Sequence, residues 1–141
     1  MMKIEQILDK NNFKRRAGKP KISIEEIENK INFKLPEDYK FYLLNYLGNE
    51  SFLGNEYVIL WDLNELVEMN NDYQITDNLT NTIGIGGNGS SEFIAIEFTK
   101  NNEYRIVLSP FIDLNKDYHI EIGNSFTDFF KRLENGKDWF E

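Results

Sequence analysis

At 141 residues, with 40% hydrophobic and 14% aromatic residues, the chain is read as one domain, residues 1–141, large enough to bury a core without staples; this excludes a disordered or repetitive polypeptide. The absence of cysteine excludes disulfides and thiolate metal sites and fits a reducing compartment. The net charge of −8 is unevenly spread: residues 1–35 carry nine Lys/Arg against five Asp/Glu, residues 36–141 carry seven against nineteen, and no Lys, Arg or His lies between Lys40 and Lys100. A surface of this sign repels phosphate backbones and attracts basic proteins, so direct nucleic-acid binding is not expected.

The N-terminal stretch MMKIEQILDKNNFKRR has no apolar h-region, and no window approaches the ~18 apolar residues of a membrane span, so a cytoplasmic protein without membrane contact is expected. Residues 1–22 read as an N-terminal helix, with Ile4, Ile7 and Leu8 on one face, followed by a basic loop, Lys14 to Lys21. Ser23 and Glu26 form an S-x-x-E capping box for a helix to Ile31 with Ile24, Ile27 and Ile31 as its stripe. Pro36, Glu37 and Asp38 suit the first turn of the next helix, whose Tyr39, Tyr42, Leu43, Tyr46 and Leu47 follow helical spacing up to a stop at Gly48.

Tyr57 to Trp61, apolar on both faces, reads as a buried strand. Asp62 or Asn64 is a cap for a short helix carrying Leu66 and Val67, and Asp72 to Thr80 reads as loop. Strands are predicted at Thr82–Gly86, Glu92–Thr99, Tyr104–Ser109 and Tyr118–Ile122, broken by GNGSS, KNNE and PFIDLNKD, which implies an antiparallel meander. Ser125 and Asp128 start a closing helix with Phe126, Phe129, Phe130 and Leu133 on one face and Gly136 at its end. The expected class is α+β: a largely antiparallel β-sheet packed against N-terminal and C-terminal helices, with the helices on one side.

The stretch GIGGNG, residues 84–89, matches G-x-G-x-x-G. A dinucleotide loop needs a helix after the glycines, whereas SSEFIAIEF reads as a strand, and no G-K-[ST] is present. Glycines that reverse the chain with positive φ are the better account, and no cofactor is expected. His119, the single histidine, is expected to face solvent because Ile120 and Ile122 alternate with it. Without Cys or a second His a zinc site is not expected, no G-x-S-x-G elbow is present, and no catalytic residue is assigned.

The segment IEEIENKINFKLPEDYKFYLLNYLG (Ile24, Ile27, Glu28, then Leu35-Pro36 and Tyr39, then Leu43 and Gly48), with the glycine-rich turn before a strand and SFTDFFKRL at the end, resembles the SUKH superfamily in its Smi/Knr-type branch. The resemblance runs from about Ser23 to Leu133 and implies a non-enzymatic protein. Bacterial members act as immunity proteins that bind and neutralise polymorphic toxins, often nucleases, and fungal relatives are scaffolds that regulate cell-wall glucan synthesis. A basic toxin domain is thus the expected partner, with the scaffold role as the alternative and a small hydrolase or nucleotide-binding enzyme as a third reading. The partner surface is expected at Glu50, Glu56, Trp61, Asp62, Glu65, Glu68 and Asp72 together with the turn residues Asn88, Ser90 and Glu92.

Overall fold

The computed structural model describes residues 3–139. Three helices come first, α1 (Ile4–Lys10), α2 (Ile24–Ile31) and α3 (Glu37–Asn45), then the hairpin β1 (Asn49–Leu53) and β2 (Glu56–Leu60). Two helices follow, α4 (Leu63–Asp72) and α5 (Ile75–Asn78), then β3 (Thr82–Gly87), β4 (Glu92–Phe98), β5 (Tyr104–Pro110), a 3-10 turn at Lys116–Tyr118, β6 (Ile120–Gly123) and α6 (Phe126–Glu134). The six strands form one antiparallel sheet in sequence order, a meander. Helix α6 touches β1 near one edge and β5 and β6 near the other, so the sheet is curled around it.

Local chemistry explains most boundaries. Ser23 Oγ accepts the Glu26 N–H at 3.1 Å and Ser125 Oγ accepts the Asp128 N–H at 2.9 Å, each satisfying an orphan donor of the first turn. Pro36 sits one residue before α3, at its N-cap. The expected stop at Gly48 is not how α3 ends: Tyr46 is already extended (φ −130°), and residues 45–47 pair instead with 14–16 through Arg16 N–H to Asn45 O and Leu47 N–H to Lys14 O. Strand β1 was not anticipated, because NESFL has neither clear alternation nor a β-branched run; it is held by its hairpin partner β2. The expected loop 72–80 contains the single turn α5.

The core is aromatic. Phe126, Phe129, Phe130, Tyr39 and Tyr42 are fully buried and meet mainly edge-on or tilted, with Phe126–Phe130 at 5.0 Å and Tyr39–Phe126 at 5.1 Å. Rings of this size dominate the burial energy, and truncating one costs about 3–5 kcal/mol.

The helices are not confined to one side. Strand β3 is buried at every position and β4 at five consecutive ones. Successive side chains point to opposite faces, so both faces of these central strands are covered, with α4 and α5 packed on β3. The contact is specific. Strand β2 ends at Leu60 and leaves Gly84 with no strand beside it on that edge. The Asn70 carboxamide, fully buried, fills the place: its Oδ1 accepts the Gly84 N–H at 2.7 Å and its Nδ2 donates to the Gly84 carbonyl at 2.9 Å. A side-chain amide thus completes a ladder that the backbone leaves open.

Candidate functional site

An open cleft of about 660 Å3 lies where the end of β2, the start of α4 and the turn after β3 converge. Its floor is apolar and largely aromatic. Trp61, at the end of β2, is nearly parallel to Tyr73 (ring centroids 6.3 Å, 6°), Tyr73 meets Phe111 at 4.5 Å, and Phe111 meets Phe93 at 5.1 Å. Leu47, Ile59 and Met69 complete the floor.

The glycine-rich stretch forms one lip, and its glycines have several reasons to be glycine. Only Gly89 has positive φ, so the expectation of chain reversal holds for that residue alone. Gly84, Gly86 and Gly87 lie within β3 itself. A Cβ on Gly84 would sit 3.0 Å from the Trp61 ring, and one on Gly86 would sit 1.8 Å from the Ile59 carbonyl oxygen. The motif therefore permits close packing of two strands and a tryptophan, and β4 follows it, as the sequence implied. The turn is shaped by Asn88, whose Oδ1 accepts the Ser90 N–H at 3.0 Å and whose Nδ2 donates to Glu92 Oε1 at 2.8 Å.

The charged side chains of the lining are all carboxylates: Glu50, Asp62 and Glu65. Glu50 Oε2 accepts the Tyr57 hydroxyl at 2.7 Å, and this bond pushes the Tyr57 phenol above its usual range. Asp62 N-caps α4, accepting the Asn64 N–H at 3.2 Å, while Glu65 Oε1 takes the Asp62 N–H at 3.0 Å to close a capping box. The other Asp62 oxygen accepts the Gly48 N–H at 3.0 Å and pairs with the Arg16 guanidinium at 2.9 Å. Arg16 also donates to the Leu43 and Tyr46 carbonyls at the end of α3. The basic loop thus reaches the acidic sector from behind. Arg15 pairs instead with Glu5 and Asp9. Beneath the wall, Tyr42 donates to the Trp61 carbonyl at 2.9 Å; burial first, then the nearby Asp62 and Glu65 charges, raise its phenol far above the usual value.

The expected partner residues separate into groups. Glu50, Trp61, Asp62, Glu65 and Ser90 line the cleft, and Asn88 and Glu92 organise its lip. Glu56 lies at the hairpin turn, where its carboxylate accepts the Trp139 N–H at 2.7 Å. Glu68 and Asp72 face a second hollow between α2 and α4, with Ile22 and Lys30. Sequence reasoning missed Leu47, Tyr73 and Phe111. Isolated aromatics in the polar segments around residues 73 and 111 were the available signal. Two large apolar residues of the lining are left uncovered, Leu47 and Tyr73, while Phe52 and Ile112, 70% and 93% exposed, lie outside the lining.

His119 differs from its expected solvent-facing position. Ile120 is the exposed residue and His119 turns inward, because the β5–β6 ladder slips register beside Ile122, so Ile120 and Ile122 do not share a face. Both ring nitrogens are buried without hydrogen-bond partners among the described residues. Burial lowers its pKa, as do Arg105 and Lys116, while Glu97 opposes the shift. Glu97 is paired with Arg105 at 2.6 Å and Lys116 at 3.1 Å; burial raises its pKa, but those two cations outweigh burial and hold the carboxyl below its usual range. Among the described residues no cluster of three or more His, Cys, Asp or Glu is placed to hold a metal ion, and no helix is long and apolar enough to cross a membrane.

A curled antiparallel meander enclosing an aromatic helix, with a cleft on its outer face, defines an α+β domain. The chain belongs to the SMI1 / KNR4 family (SUKH-1), which it matches over residues 21–132. No curated protein matches it.

Proposed function

We propose that this protein is a non-enzymatic binding module, an immunity protein that neutralises a basic toxin domain by covering it. The single observation that carries this reading is the composition of the cleft: an aromatic floor, carboxylates as its charged lining, and the uncovered Leu47 and Tyr73 within it. Aromatic anchors supply affinity at the centre of an interface, and charge of one sign speeds encounter with a partner of the other. Membership of the SUKH-1 family supports a binding role.

The test is capture of the product of an adjacent toxin gene by the purified full-length protein. Glu50→Lys with Glu65→Lys should slow association at least about tenfold at low salt, with the difference shrinking as salt rises, while Glu103→Lys on the far loop should leave binding unchanged. Equal binding by all three proteins would remove the cleft from the interface. Capture only of endogenous wall-synthesis proteins, with no toxin bound, would support the scaffold alternative.

A further inference from the structure

We infer that the cleft accepts an arginine side chain presented by an extended segment of the partner, its guanidinium lying on the Trp61–Tyr73–Phe111 row and held by Glu65 and Glu50. The inference rests on the cleft being the docking surface and adds what enters it.

Four observations converge. The cleft, about 660 Å3, is open to solvent and has room for one large side chain of a partner. The lining carries carboxylates and no cation, and the one arginine nearby, Arg16, is spent on Asp62 with its side chain only 8% exposed. Glu65 uses Oε1 for the capping box and Glu50 uses Oε2 for Tyr57, so the second oxygen of each remains a free acceptor among the described residues. A purely apolar entrant would desolvate those carboxylates without pairing them, which is costly.

The chain already builds the same arrangement once from its own residues. Arg15 lies 5.0 Å over the Tyr46 ring and pairs with Glu5 at 2.9 Å and Asp9 at 2.8 Å. A guanidinium suits such a place better than an ammonium, because it is planar, weakly hydrated, stacks on rings and offers two parallel donors to a carboxylate.

The full chain, isotope-labelled, should be titrated by NMR with a short capped peptide bearing one central arginine, and with its citrulline and lysine counterparts. Citrulline keeps the shape and removes the charge. The arginine peptide should shift the Trp61 indole N–H and the amides of Gly48, Gly87 and Ser90 with about millimolar affinity. The citrulline peptide should bind at least about tenfold more weakly and the lysine peptide about threefold more weakly. Glu65→Gln, which retains a capping side chain, should cost about fivefold, and Phe111→Ala a similar factor. Equal shifts from the arginine and citrulline peptides, or shifts confined to residues outside the cleft, would overturn the inference. Free arginine binding as tightly as the peptide would also overturn it, pointing to a small-molecule site, as would self-association abolished by Glu65→Lys. If cleft variants abolish toxin capture while arginine and citrulline peptides bind alike, the docking surface stands and the guanidinium assignment falls. If the arginine peptide binds while those variants leave capture unchanged, the partner assignment falls.

Discussion

Asp62→Ala should destabilise the chain far more than the loss of its neighbour Glu68, although both are acids of the same helix region. The Asp62 carboxylate holds three elements together: it caps α4, takes the Gly48 N–H before β1, and neutralises Arg16 from the basic loop. Losing the cap costs about 1 kcal/mol. Losing the Gly48 bond costs about 1 kcal/mol more. The Arg16 guanidinium would keep only its bonds to the Leu43 and Tyr46 carbonyls while remaining almost fully enclosed. Stranding one member of a fully buried ion pair costs about 3–5 kcal/mol; the partial exposure of Asp62 and those two remaining bonds bring this to about 1–2 kcal/mol. The sum, about 3–4 kcal/mol, corresponds to a Tm drop of about 10 °C for a domain of this size. Urea denaturation of Asp62→Asn, Arg16→Met and the double variant gives the coupling directly, expected at about 1–3 kcal/mol. Single variants that each cost under about 0.5 kcal/mol, with no coupling, would refute the docking of the basic loop onto Asp62. The result also governs how interface experiments are read, since a binding defect at Asp62 would report loss of the cleft wall as much as loss of a contact.

Gly86→Ala should fail to fold or lose more than about 3 kcal/mol, because the new methyl meets the Ile59 carbonyl, whereas Gly84→Ala should be milder because its neighbours are the ends of the Ile75 and Trp61 side chains; thermal melts separate the two. Asn70→Leu should cost about 2–4 kcal/mol and speed hydrogen exchange at the Gly84 amide, which it would leave unpaired. Tyr39→Phe should be neutral or stabilising, since its buried hydroxyl has no partner among the described residues, while Tyr42→Phe should lose about 1 kcal/mol with its bond to the Trp61 carbonyl, as denaturation midpoints will show. His119 has a folded pKa below its usual 6.5, so its contribution to stability is present above that pH and lost as pH falls through the folded value. His119→Phe should flatten the stability profile in that window and leave the separate loss below pH 4.5, where Glu97 takes up its proton as the pH passes its lowered pKa.

Much of the framework was legible because it rests on short-range chemistry. The Ser23 and Ser125 caps, the Phe126–Leu133 stripe and the break at GNGSS are each decided within about one helical turn or one hairpin, so periodicity and turn residues suffice, whereas the choice of Asp62 over Asn64 as the cap of α4 was left to the structure. Strand β1 and the turn α5 were not legible, since NESFL and ITDN carry weak intrinsic preference and are held by their neighbours. The site was half legible. A cation-free acidic sector marked Glu50, Trp61, Asp62 and Glu65, but Glu56, Glu68 and Asp72, equally acidic, are carried elsewhere by the fold.

By itself the sequence determined the class of fold, the order of most elements and the sign of the charge carried between Lys40 and Lys100. All three follow from residue type and spacing along the chain. Only the tertiary structure decided that Tyr73 and Phe111 join Trp61 in one aromatic row, that Arg16 spends its charge on Asp62, and that three of the four glycines from Gly84 to Gly89 serve a strand rather than a turn. These depend on contacts between residues tens of positions apart, and packing in three dimensions chooses among the many partners that local pattern leaves open.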